Sequence, residues 1–114
     1  MAYDISGDSY LEKTKIDLGA EFGEGAFVEL REPTKREYLV LSKASQAGAL
    51  DFEDAFAGML PGLIVGHGFA MQGVPAKPEQ VRDAICKKTA ASNKVQADFF
   101  AWATAPFQKQ TEGK

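Results

Sequence analysis

Ala26-Phe27-Val28-Glu29-Leu30-Arg31-Glu32-Pro33-Thr34-Lys35-Arg36-Glu37-Tyr38-Leu39-Val40-Leu41 is where the hydrophobic period of the chain changes. From Ala26 to Arg31 the side chains alternate, with Ala26, Val28 and Leu30 on one face and Phe27, Glu29 and Arg31 on the other. A period of two marks a half-buried strand. Pro33 ends it, because proline has no backbone N–H to give a ladder. Thr34 stands three residues before Glu37, the spacing at which each side chain satisfies the other residue's free amide. A helix is expected from Thr34 to about Ala47, with Gly48 as its stop. Its buried stripe would be Val40, Leu41, Ala44 and Ala47, leaving Leu39 off the stripe between Lys43 and Gln46. One strand running straight into a capped helix points to an α+β fold.

Upstream, Lys13 to Leu18 also alternates, with Thr14, Ile16 and Leu18 on the inner side. It predicts a second strand, joined to the first by the glycine-rich tip Gly19 to Gly25. A two-stranded hairpin is barely stable alone, so it must pack on helices or pair with another chain. Downstream, Asp51 opens a second helix with the stripe Phe52, Phe56, Met59 and Leu63, and Pro61 either kinks it or starts a new turn. Gly66 to Pro75 reads as a loop. Pro78-Glu79 starts a third helix with the stripe Val81, Ala84, Ile85 and Lys88. Ser92 caps a fourth through Ala105, with Val95, Phe99, Trp102 and Ala103 in line, and Pro106 ends it. The expected architecture is a small antiparallel β-hairpin packed on about four α-helices. Residues 1–12 form a flexible N-terminal arm, 13–106 a single α+β domain and 107–114 a disordered polar tail.

The 114 residues carry 13 Lys plus Arg against 16 Asp plus Glu, a net charge of −3, which argues against phosphate-driven nucleic-acid binding. One cysteine makes no intramolecular disulfide, and one histidine is too few for the commoner zinc sites. The apolar run Ala55 to Val65 is about half of what a membrane span needs. The opening Met1-Ala2-Tyr3-Asp4-Ile5 has no signal-peptide pattern, so a cytoplasmic protein is expected.

Candidate chemistry is thin. His67 lies between two glycines but has no serine elbow or orienting carboxylate nearby, so it reads as structural or exposed. Cys86 stands beside Lys87 and Lys88, whose charges would lower a thiol pKa, yet it lacks an assisting histidine. Gly62, Gly66, Gly68 and Gly73 have neither the Gly-Lys-Ser/Thr nor the βαβ unit of a phosphate loop. Asp51, Glu53 and Asp54 suit a helix N-terminus better than a calcium loop. No catalytic residue, metal or cofactor is expected. The aromatic cluster Phe99, Phe100, Trp102 and Phe107 is more telling. Phe99 and Trp102 share the helix stripe, while Phe100, like Phe27 and Leu39, either fills a second core face or meets a protein partner.

In order, the chain presents Phe27-Val28-Glu29-Leu30-Arg31-Glu32-Pro33-Thr34, a helix with Glu37-Tyr38-Leu39, an acidic-apolar helix and Leu63-Ile64-Val65-Gly66-His67-Gly68-Phe69. Gly73-Val74-Pro75-Ala76-Lys77-Pro78-Glu79-Gln80-Val81 and an aromatic C-terminal helix complete it. From about Lys13 to Phe107 this resembles the tail assembly chaperones of long, non-contractile-tailed (lambdoid-type) phages and prophages. The resemblance implies a non-enzymatic protein of the host cytoplasm, missing from the finished virion, that binds the tape measure protein and keeps it soluble during tail tube assembly. It also implies frequent self-association and no nucleic acid or membrane partner. The exposed edges of a two-stranded hairpin and the off-stripe apolar residues point the same way: homo-oligomers are expected through the hairpin or through the Leu39 and Phe100 surfaces, with Phe27, Leu39, Phe100 and Phe107 as partner-binding residues. Programmed frameshifting near the gene's end, for which Glu112-Gly113-Lys114 permit a slippery run such as G-GGA-AAG, would give a longer product able to engage the major tail tube protein. The rival expectations are a small cytoplasmic adaptor or regulatory domain unrelated to phage, and an enzyme built on the His67 loop.

Overall fold

The alternating segments pair as their patterns require. The structure, a computed structural model, describes Ala2, Gly7 and residues 10–112, with residues 105–112 described by backbone alone. Strand β1 (Lys13–Asp17) runs antiparallel to β2 (Phe27–Arg31), with Ile16 opposite Val28 and Lys15 opposite Glu29. The inner face, Ile16, Leu18, Ala26, Val28 and Leu30, is buried. The glycine-rich tip is not wholly irregular, since it holds one helical turn, α1 (Gly19–Phe22). The Asp17 carboxylate accepts the Gly19 N–H at 2.9 Å at its start.

Beyond β2, α2 (Lys35–Ala47) starts as expected. Thr34 Oγ1 accepts the Glu37 N–H at 3.2 Å, and Glu37 Oε1 accepts the Thr34 N–H at 2.8 Å. The helix ends at Gly48, and α3 (Ala49–Leu63) begins at once, two residues earlier than the Asp51 start expected. Pro61 stays inside α3. Having no N–H, it frees the Ala57 carbonyl one turn back, which Arg82 Nη1 approaches at 3.5 Å.

The expected hairpin is in fact a three-stranded sheet of order β1-β2-β3, with β3 at Ile64–His67. The β-branched pair Ile64-Val65 follows Pro61-Gly62, which weaken the helix, so extended structure wins there. In the antiparallel β2–β3 pairing, Leu30 faces Ile64 and Glu29 faces Gly66. Val65 is the extra residue of the resulting bulge and is exposed. The expected loop 66–75 also contains β4 (Ala70–Met71) and β5 (Val74–Pro75), paired antiparallel. Gln72 at φ 52° and Gly73 at φ 84° join them, the two left-handed residues of a tight type I′ hairpin. Glutamine is not a usual choice at the first position, which hid the turn.

Helix α4 (Pro78–Lys87) has proline at its first position as expected. Helix α5 (Thr89–Glu112) starts before Ser92 and continues through Pro106. Ala90 and Ala91 favour the earlier start. The buried Ser92 hydroxyl accepts from Gln96 Nε2 at 2.9 Å rather than capping. Pro106 costs one internal hydrogen bond but already has helical φ, and the Gln, Lys and Glu after it are good helix formers. The expected tail is therefore helical as far as Glu112. Most of the expected N-terminal arm, and Gly113 and Lys114, lie outside the described residues.

One core joins these elements: the inner sheet face, Leu41 of α2, Phe56, Leu60 and Leu63 of α3, Val81 and Ile85 of α4, and Ala91, Val95 and Phe99 of α5. Some side chains depart from the expected pattern. Val40 and Ala47 are exposed, because α2 turns a narrow stripe centred on Leu41 to the core. Arg31, expected on the outer strand face, is buried because its guanidinium meets Glu37 through both Nη1, at 2.8 Å, and Nη2, at 3.1 Å.

That pair makes stability depend on pH. The Arg31 guanidinium, helped by Thr34, holds the Glu37 carboxyl below its usual range, against an opposing push from burial. The stabilisation is full above the unfolded Glu pKa of about 4.3 and is lost as pH falls through the lower folded value. Glu37→Gln is expected to cost about 1–2 kcal/mol near neutral pH. Urea unfolding should show the gap to wild type closing as pH falls through the lowered folded value of Glu37.

Candidate functional site

The residues with the richest chemistry are dispersed. His67 is half-buried on β3 opposite Val28, and its Nδ1 accepts the Phe69 N–H at 3.1 Å. Among the described residues it has no hydrogen bond to a carboxylate, hydroxyl or thiol. It therefore holds the backbone between β3 and β4. His67→Ala is expected to lower stability by about 1 kcal/mol, measured by urea unfolding. Cys86 is half-buried on α4. Burial pushes its thiol up, with Arg82 opposing and Glu53 and Asp83 adding to the rise. The expected lowering by Lys87 and Lys88 does not occur. Both are exposed, and the Lys88 ammonium is held over the Phe22 ring, 5.2 Å from its centroid.

The four glycines are divided among α3, β3, the close approach to Gly25 and the β4–β5 turn, rather than lining one loop. Asp51, Glu53 and Asp54 project into solvent from the first turns of α3. Among the described residues no three His, Cys, Asp or Glu side chains are grouped to hold a metal ion.

Most of the large apolar side chains at the surface are aliphatic, with Phe22 and Tyr10 the exposed aromatics among the described residues. Leu50 is 71% exposed, Val74 61%, Leu39 55%, Met71 49% and Val40 46%. Leu39 and Val40 lie on α2, Leu50 opens α3, and Met71 and Val74 flank the β4–β5 turn. Of the three nominated residues whose side chains are described, Leu39 is the exposed one. Phe27 is half-buried on the outer sheet face with the Lys15 ammonium 4.3 Å from its ring centroid, and it borders a shallow recess with Asp17 and Gly25. Phe100 is half-buried, edge-on to Phe52 at 5.4 Å between centroids and stacked on Tyr38 at 6.3 Å. It thus fills a second core face and forms, with Ser45, Phe52 and Gln96, the wall of a groove between α2, α3 and α5. The side chain of Phe107 lies outside the described residues. Sequence reading missed Val40, Leu50, Met71 and Val74. Leu50 was legible in principle, as a leucine beside Asp51, Glu53 and Asp54 and off the Phe52–Phe56 stripe.

Comparison of the chain with family models, with curated proteins and with solved structures gave no match. Among the described residues, no helix is long and apolar enough to cross a membrane.

Proposed function

We propose that the chain is a tail assembly chaperone of a long-tailed phage or prophage, a non-enzymatic protein that binds the tape measure protein and keeps it soluble while tail tube protein assembles around it. The observation that carries the reading is the set of large aliphatic side chains exposed on α2, at the start of α3 and on the β4–β5 hairpin. A protein that holds a long, partly apolar client needs several weak apolar contacts, whereas an isolated monomer gains nothing from exposing them. The net charge of −3 favours solubility of the loaded complex. The family resemblance of the strand, Arg31-Glu32-Pro33-Thr34 and helix order supplies the client's identity. The work belongs to the host cytoplasm and ends before the virion is complete.

Self-association belongs to the same reading, through these apolar surfaces rather than through the sheet. The β1 edge carries Lys13 and Lys15, and α5 approaches it, with Lys94 Nζ donating to the Asp17 carbonyl at 2.6 Å. The β3 edge is short and bulged. Both devices discourage strand addition.

The test is co-expression with the tape measure protein encoded beside it. The chain should move that protein from the pellet to the soluble fraction and co-elute with it. A tape measure protein that stays insoluble, with this chain eluting alone, overturns the reading. Binding of a different, already soluble partner would favour an adaptor.

A further inference from the structure

Helix α2 presents Arg36, Leu39, Val40, Lys43 and Ala47 to solvent at spacings i, i+3, i+4, i+7 and i+11, one side of a helix over three turns. Lys35 is exposed beside them. Glu37, the carboxylate of α2, is turned inward and engaged by Arg31. Every exposed charge on α2 is therefore positive, in a chain of net charge −3. Among the described residues, Lys35, Arg36 and Lys43 make no ion pair. The exposed charges of α3, by contrast, are Asp51, Glu53 and Asp54.

We propose that this face of α2 docks an amphipathic helix of the client whose leucine-like stripe is bordered by Asp or Glu. The proposal rests on the chaperone reading only for the name of the client. Leu39 and Val40 supply the apolar contact of helix-on-helix recognition. The three cations set polarity and register, since like charges placed opposite them are rejected. A second copy of this chain fits less well. Its acidic-apolar segment, Leu50, Glu53 and Asp54, spans about 6 Å, about a third of the roughly 17 Å that α2 exposes, and Gly58, Pro61 and Gly62 follow it. A lipid surface also fits less well, because two aliphatic side chains and three cations, with no aromatic among them, make a weak interfacial anchor.

The experiment uses the full chain and two labelled synthetic helices of about 18 residues with the same leucine stripe, one flanked by Glu and the other by Lys. Vesicles of phosphatidylcholine with phosphatidylserine form a third arm. Wild type should bind the Glu-flanked helix at least about tenfold more tightly than the Lys-flanked one, less tightly in high salt, and should leave the vesicles unbound. The triple variant Lys35→Glu, Arg36→Glu, Lys43→Glu should reverse that preference. Leu39→Ser with Val40→Ser should weaken binding to either helix about tenfold. Val65→Ser, at an exposed valine on β3 away from α2, should leave the peptide affinities unchanged. All positions are at the surface, and circular dichroism with thermal melting confirms each fold. Equal binding of the two helices, a triple variant indistinguishable from wild type, or preference for vesicles overturns the proposal. The tape measure protein itself separates the two readings. If it binds wild type and the triple variant equally, the α2 site is wrong and the chaperone stands. If the Glu-flanked helix binds as expected and the tape measure protein does not, α2 stands and its client is another protein.

Discussion

Phe99→Ala is expected to cost about 3–5 kcal/mol, a large part of the stability of a chain this size. Phe99 is fully buried on α5, with its ring centroid 5.6 Å from Phe56 of α3 and 6.0 Å from Trp102. Helix α5 reaches the core through Ala91, Val95 and Phe99, spaced by four, and Phe99 is the largest of the three. Removing the ring opens a void between α3 and α5 that the surrounding helices close only in part, and it forfeits the aromatic contacts as well. Urea unfolding should show a lower midpoint with an unchanged slope. Phe99→Leu should recover much of the loss. The adjacent Phe100→Ala should cost less, because Phe100 is half-buried. The contrast bears on function too. Loss of client binding in Phe99→Ala would follow the loss of fold, whereas Leu39→Ser with Val40→Ser should lose binding while keeping the wild-type midpoint.

The sequence was most informative where one local rule acted alone. The strand alternation in Lys13 to Leu18 and Ala26 to Leu30, the Thr34–Glu37 box, the Gly48 stop and the Pro78 start each depend on near neighbours, and each appears in the structure. The strand Ile64 to His67 is not legible in the sequence, because four residues beside Pro61-Gly62 are too few to show a period. Only its pairing with β2 makes it a strand. Arg31 was placed outside because alternation assigns faces without knowing that Glu37 would fold back to meet it. The candidate surface was half legible. Leu39 stood out as a leucine off its helix stripe, but Val40 looked buried on a stripe drawn too wide. Met71 and Val74 could be seen as exposed only once Gln72-Gly73 was known to turn the chain back on itself. Phe100 illustrates the limit of a helical wheel. An off-stripe aromatic can meet a second element, here Phe52 and Tyr38, as readily as a partner protein.

Gly68→Ala is expected to destabilise the chain by about 3 kcal/mol, at the upper end for overpacking. A Cβ at Gly68 would press into the carbonyl oxygen of Gly25 and stand 2.8 Å from the ring of Phe27. The ring has some freedom to turn, but the Gly25 carbonyl belongs to the backbone. On either side of it the chain is tied, by the Ala26 N–H to Gly23 O at 3.2 Å and by the Leu18 N–H to Ala26 O at 2.9 Å. Gly68 itself donates its N–H to Phe27 O at 3.0 Å. Relief therefore requires either that this bond break or that the start of β2 move off β1. Gly58→Ala provides the control. Nothing lies within 4 Å of a Cβ there, and Gly58 is inside α3, so alanine should stabilise by about 0.5–1 kcal/mol. Thermal and urea unfolding of the two variants should move in opposite directions. Hydrogen exchange should also show faster exchange of the Gly68 and Leu18 amides in Gly68→Ala, because the strain is taken up where the tip of the sheet meets the segment leading to β4. If Gly68→Ala unfolds like wild type, the close approach of Gly25 and Phe27 to Gly68 is not maintained in solution.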